Sequence, residues 1–240
     1  MIDAFLFIGL PYTVTFLFVI GSILRIRNYG YSVTSHSSQF LESNNLFWGS
    51  RFFHSGIILI ILGHIIGFLL PKFVIWLTTN PIGLFIIELS AFAFAIISLI
   101  GILILIFRRV FVKRLYSVTS IMDIVVYVVL ATQIITGLFV AYQLSWGSVW
   151  YASSMVPYLK SLCIFSPDMS VISSMTLLVK MHVITAFILI GLIPFTRLIH
   201  FVSYPFFYIW RSYQLVIWNK NQKMMRVSKN TREGITPKNN

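Results

Sequence analysis

The run Phe52 to Leu70, FFHSGIILIILGHIIGFLL, is apolar along its length and carries two histidines, His54 and His64, ten residues apart. Its length suits one crossing of a bilayer, which takes about 20 mostly apolar residues. An imidazole in hydrocarbon needs partners for its nitrogens, so two of them in one such run point to function. A second run of the same character, Met181 to Ser203, MHVITAFILIGLIPFTRLIHFVS, holds His182 and His200. The fifth histidine, His36, lies in TSHSSQF between apolar segments and reads as solvated or partner-facing.

Working outward from Phe52 to Leu70, four more segments are long enough to span: Ala4 to Leu24, Ile82 to Phe107, Ile121 to Tyr142 and Leu177 to Ile199. Backbone groups in lipid must be satisfied within each segment, and these lengths fit helices rather than barrel strands. The expected fold class is an all-α membrane protein, a bundle of five transmembrane helices. Composition agrees, with 58% hydrophobic residues, 10% charged and a mean hydropathy of +0.89. The apolar start lacks a basic leader and a cleavage pattern, so it is expected to stay as the first helix. Pro11 and Pro194 are expected to kink the first and fifth helices. The long connection Gln143 to Thr176, with Trp146, Trp150 and Tyr151 suited to an interface, is expected to cap one end. Residues 1–218 form the bundle in this reading, and 219–240 a basic, flexible tail.

The net charge of +12 comes from 18 Lys and Arg against 6 Asp and Glu. These basic residues flank apolar runs instead of forming a face of their own, which argues for lipid and against nucleic acid. Fifteen of them fall in the segments starting at Arg25, Arg108 and Arg197, and only Lys72, Lys160 and Lys180 fall on the other side. The bias predicts an N-terminus outside, a C-terminus in the cytoplasm and a multi-pass protein of the cell (inner) membrane. His54 and His200 are then inner, and His64 and His182 outer. The single cysteine, Cys163, excludes an internal disulfide and is expected to be a small apolar filler.

Ten helical residues separate His54 from His64 by about 15 Å, too far for one zinc or copper site. Haem accommodates the spacing, because each iron takes one imidazole from each of two facing helices. A proton relay is the second reading, with Glu88 the one carboxylate deep in a helix. His182 and His200 lie about 27 Å apart along a straight helix, so a kink at Pro194 must absorb the difference. Gly56, Gly63 and Gly67 leave room either for a macrocycle or for a neighbouring helix. Arg197 and Lys180 could meet haem propionates or act as interface anchors. Glu88 is expected to be satisfied by a neighbouring helix, and Asp123 to favour the start of the fourth helix.

The run SRFFHSGIILIILGHIIGFLLP from Ser50, the pair Arg108 and Arg109, MDI at Met122 to Ile124, and KMHVITAFILIGLIPFTRLIHF from Lys180, followed by YQLV, resemble the gamma subunit of membrane-bound respiratory nitrate reductase. The resemblance runs to Val216, and the histidine spacings of ten and eighteen are its most specific part. It implies a five-helix cytochrome with two haem b groups: His64 and His182 on the outer iron, His54 and His200 on the inner. It implies oxidation of a membrane quinol near the outer haem, with Gly63, His64, Lys72 and Lys180 at that site and protons leaving on the outer side. Electrons would pass to an iron–sulfur beta subunit at the cytoplasmic face and on to a molybdenum alpha subunit that reduces nitrate. The chain would thus be the quinol-oxidising subunit of a quinol:nitrate oxidoreductase. One departure stands out: where the family carries a lysine at the outer start of the third helix, this chain has Gly83. Related dihaem cytochromes serving sulfur-compound or heterodisulfide reduction, and a non-redox membrane anchor, are the alternative functions.

Overall fold

The structure is a computed structural model that describes residues 2–29, 41–144 and 147–203. His36, Trp146 and the basic tail lie outside the described residues. Every regular element among the described residues is helical. The chain enters through Ile2–Ala4 and a π turn, Phe5–Gly9, into α1 (Leu10–Tyr29), and α2 is Asn44–Leu69. A short α3 (Pro71–Thr78) then precedes α4 (Pro81–Phe111), α5 (Ile121–Gln143), α6 (Val156–Cys163) and α7 (Leu177–Leu192). Five of these stretches are long and apolar enough to cross a membrane, so the protein is a multi-pass membrane protein.

The spans start and stop where their end chemistry dictates. At α4, Asn80 accepts the Ile82 N–H and Pro81 takes the first turn, where an N–H is not needed. At α5, Ser120 and Asp123 form a reciprocal capping box. Helix α2 begins earlier than its apolar run, at Asn44, because nothing between Asn44 and Phe52 breaks a helix and Glu42 accepts the Asn45 N–H (2.7 Å).

The two prolines interrupt the backbone ladder, and each interruption is repaired by a side chain from elsewhere. Pro11 has no N–H to give the Phe7 carbonyl, and the Tyr158 hydroxyl donates to that oxygen instead (2.6 Å). Pro194 stops the fifth span more sharply than a kink. The α-helix ends at Leu192, and Ile193–Phe195 and Arg197–Ile199 are 3₁₀ turns on either side of an extended Thr196. The expected kinked helix to Ile199 is therefore corrected to a break, since the ring displaces the turn before it and removes one donor. Arg25 of α1 donates to the exposed carbonyls of Pro194 (2.6 Å) and Thr196 (3.2 Å).

Helices α2 and α4 run antiparallel in backbone contact. A Cβ on Gly101 would strike the Phe53 and Phe52 backbone, and one on Gly56 the Phe94 carbonyl and Ser98. Gly56 is thus a helix-packing residue. Ahead of α6 the described residues form a helical turn, Gly147–Trp150, and a π turn, Tyr151–Met155. This connection buries Met155, Tyr158, Leu162 and Ile172 against Phe7, and so does cap one end. Cys163 is exposed there, correcting its reading as a buried filler.

At the other end lie the Arg-rich turns, termed the basic end. Arg108 and Arg109 are buried inside the last turn of α4. Arg108 donates to the Glu42 carboxylate and to its carbonyl (2.6 Å), while Asp123 pairs with Arg197 (3.1 Å) and Arg109 (3.7 Å). Burial pushes the Glu42 carboxyl up, but the Asn45 N–H and the Arg108 guanidinium outweigh it and hold it below the usual carboxylate range.

Two outcomes are expected. Gly101→Val should lower stability by about 1–3 kcal/mol or more through overpacking, read as a drop in the thermal unfolding midpoint in detergent. The contribution of Glu42 should be complete above the ordinary carboxylate pKa and fade as pH falls through its depressed value. Glu42→Gln should flatten the acid limb of the unfolding profile, and a profile superimposable on wild type would refute this.

Candidate haem-binding site

The four span histidines fall into two groups at different depths. At the basic end, the rings of His54 on α2 and His200 after the break approach to 6.2 Å between centroids, tilted by 58°. A metal held between two imidazoles at roughly 2.0–2.1 Å from each nitrogen separates their centroids by about the same distance. The break at Pro194 places His200 here, and Gly21 of α1 packs directly on that proline.

At the cap end, His182 of α7 lies against α5, and Gly137 makes room for it: a Cβ there would sit 2.9 Å from its Cε1. His64 of α2 lies within electrostatic range of His182. Tyr151 of the cap lays its ring edge-on to the His64 ring (5.2 Å, 68°) and donates its hydroxyl to the His64 carbonyl (3.1 Å). Gly67 leaves space for that tyrosine, which burial pushes up to a pKa of about 12, so it stays a neutral donor. Gly63 faces open space, with nothing within 4 Å of a would-be Cβ.

Hydrogen bonding sets one tautomer at all four rings. His54 Nδ1–H donates to the Ser50 carbonyl (2.8 Å), His64 Nδ1–H to Ile60 (2.8 Å) and His200 Nδ1–H to Arg197 (2.6 Å). A carbonyl can only accept, so the proton is on Nδ1 and the Nε2 lone pair is free. His182 uses a different device. Thr136 Oγ1 gives its proton to the Thr132 carbonyl (2.8 Å) and accepts from His182 Nδ1 (3.0 Å). The Gln133 amide approaches His182 Nε2 at 3.3 Å, and its own oxygen accepts from Thr185. Neutral imidazoles with the far nitrogen anchored are the form that ligates a metal, so the donor set fits haem iron.

The remaining candidate residues are placed less uniformly. Arg197 supports His200 through its carbonyl and holds Asp123 with its guanidinium, at the basic end beside His54 and His200. Lys180 pairs with Asp3 (3.1 Å) and reaches the Phe7 ring, so it serves the entry to α1. Lys72 is exposed on the first turn of α3. Gly83 has a steric reason: a Cβ there would collide with the Leu77 carbonyl of the tight α3–α4 turn. Glu88 accepts from the Ser148 N–H of the cap (2.7 Å), a backbone partner outside the spans. Sequence reasoning missed Arg25, Gln133, Thr136 and Tyr151. Gln133 and Thr136 carried a signal as polar residues within an apolar span, whereas Arg25 and Tyr151 looked like ordinary boundary residues.

The family model described as nitrate reductase gamma subunit matches residues 3–219. The chain is 30% identical to the nitrate reductase gamma chain of Bacillus subtilis (strain 168), over 88% of this chain and 95% of that one. It is also 30% identical to the respiratory nitrate reductase 1 gamma chain of Escherichia coli (strain K12), over 90% and 97% respectively. A nitrate reductase-like protein, NarX, of Mycobacterium tuberculosis matches at 30% over 90% of this chain but 33% of its own length. With a five-span bundle, paired histidines and a match over nearly the whole described length, the chain belongs to the nitrate reductase gamma subunit family.

Proposed function

We propose that this protein is the quinol-oxidising, dihaem cytochrome b subunit of a membrane-bound nitrate reductase. His64 and His182 hold the haem at the cap end, and His54 and His200 the haem at the basic end. The basic end faces the cytoplasm, as the distribution of Lys and Arg requires, so the cap end faces out. The observation that carries the reading is the shared tautomer: His54, His64, His182 and His200 each bond through Nδ1, which leaves Nε2 as the acceptor nitrogen, free at three rings and met by the Gln133 amide at His182. A histidine that only cross-linked helices has no need of that uniformity.

When bound, haem supplies one-electron transfer at potentials set by its axial ligands and their surroundings. The chain supplies the rest. Ser50, Ile60 and Arg197 fix three rings through their own backbone, which keeps ligand direction rigid. Thr136 fixes the fourth from a different helix, so the orientation of His182 depends on α5 packing on α7. Arg197, half exposed beside His200, can offer its guanidinium to a propionate while Asp123 orients it. An iron–sulfur beta subunit docks at the basic end and passes electrons to a molybdenum alpha subunit, where nitrate is reduced. Quinol enters from the bilayer at the cap end, where Gly63 leaves an opening beside His64.

Reduced-minus-oxidised absorbance of the purified protein should show b-type haem, and its absence would end this reading. His64→Ala should remove one haem and leave the other, and His54→Ala should do the same for the second. Thr136→Val strands the Nδ1–H of His182, at a cost of about 1–3 kcal/mol. It should shift the midpoint potential or the low-spin electron paramagnetic resonance signal of the cap-end haem alone, with Thr136→Ser restoring both. An unmoved signal would show that the threonine is not a positioning residue.

A further inference from the structure

Glu88 is the one carboxylate within α4, half buried in a segment that otherwise offers lipid apolar side chains. A carboxylate at such depth is costly to keep without a function. One of its oxygens accepts from the Ser148 N–H, and no hydrogen bond to its second oxygen occurs among the described residues. Beside it, Ser148 Oγ is buried with no partner. Two polar groups on adjoining elements thus have bonding capacity that the protein does not use, which marks a place for a hydroxyl-bearing ligand.

The same turn of the cap ties this pair to His64. Ser148 holds Glu88, and three residues on, Tyr151 holds the His64 carbonyl and covers its ring. The antiparallel register of α2 and α4 agrees. Gly101 lies on Phe53 and Gly56 on Ser98, so the same register brings residue 64 level with residue 90, and Glu88 is about 3 Å of helix rise away. Gly63 opens the space next to His64, and His64 is itself exposed. The two lysines that could have served a quinol are placed elsewhere: Lys180 is engaged by Asp3, and Lys72 is exposed on α3.

We propose that Glu88, with Ser148 beside it, binds a quinol hydroxyl at the cap end and accepts its proton, a role that rests on the quinol oxidation proposed above. A quinol hydroxyl donates to the second carboxylate oxygen of Glu88. As an electron leaves for the acceptor named in the proposed function, that O–H bond breaks and a carboxyl O–H bond forms, and Glu88 then releases the proton to water beyond the cap. The opposite hydroxyl loses its proton to water as the second electron leaves, so one quinol yields one quinone, two protons and two electrons. The other titratable groups carried at this end by the surrounding elements are His64 on α2, Lys72 on α3, Tyr142 on α5, Tyr151 and Asp168 on the cap, and His182 and Lys180 on α7 with Asp3 beside them. Of the two other carboxylates, Asp3 is paired with Lys180 and Asp168 accepts the Ser170 N–H of its own turn, so Glu88 is the group suited to a transfer of this kind.

The test uses the whole membrane complex, with Glu88→Gln, Glu88→Asp and Ser148→Ala. Glu88→Gln should lower kcat with quinol by about 10²-fold, as loss of a positioned proton acceptor does. It should also weaken a redox-inert hydroxylated quinone analogue about tenfold, read by fluorescence titration, while the reduced haem spectrum stays intact. Glu88→Asp should recover much of the rate. Wild-type kcat and wild-type analogue affinity in Glu88→Gln would overturn the assignment. If Glu88→Gln loses its haem spectrum, Ser148→Ala decides: severalfold weaker analogue binding with an intact spectrum upholds the site, and unchanged binding overturns it. A wild-type complex without b-type absorbance would instead remove the underlying function, so the two failures are told apart by the wild-type spectrum.

Discussion

Inside a bilayer no water is at hand, so each polar atom in a span must find its partner within the protein. That requirement organises this molecule. The Phe7 carbonyl that Pro11 cannot serve is taken by Tyr158, and the carbonyls exposed by Pro194 are taken by Arg25. Each repair joins two distant parts of the chain: the first clamps the cap on α1, and the second fixes the break that turns His200 toward His54. The histidines obey the same rule: His54, His64 and His200 each bond a backbone carbonyl through Nδ1 and keep a lone pair on Nε2, and His182 finds partners for both nitrogens on α5.

Close packing supplies the frame on which these bonds act. Because lipid tails are as apolar as the helices, association between spans depends on how near their backbones can come. Gly56 and Gly101 let α2 and α4 touch, and that contact sets the depth of both α2 histidines relative to α4. Gly137 does the same locally for the His182 ring. Charges gather at the basic end, where Arg108 with Glu42, and Asp123 with Arg109 and Arg197, tie the ends of four segments together.

The two histidine pairs differ in surroundings, and the difference has functional content. The pair at the basic end is held by backbone carbonyls and bordered by arginines. The pair at the cap end is bordered by an opening at Gly63, by Tyr151 and by a hydroxyl, an amide and a carboxylate from α5 and α4. A site that releases protons needs groups of the second kind, and a site that only passes electrons does not. The absence of a lysine at Gly83 fits this arrangement, because the tight α3–α4 turn leaves no room for a side chain there.

How much was legible in the sequence follows from what its patterns encode. Apolar length determined the five spans, and the spacing of His54, His64, His182 and His200 marked them as candidate ligands, because both are properties of single segments. Charge asymmetry likewise needs no fold to be counted. The sequence missed what depends on contacts between segments: the helix that ends at Leu192, the exposed Cys163 and the engagement of Lys180 by Asp3. Only the tertiary structure could assign Gly56 to helix contact and Gly63 to open space, or join Thr136 to His182 and Glu88 to Ser148. A residue type states which bonds a side chain can make, but in a membrane its partner is decided by which neighbouring helix arrives at the same depth.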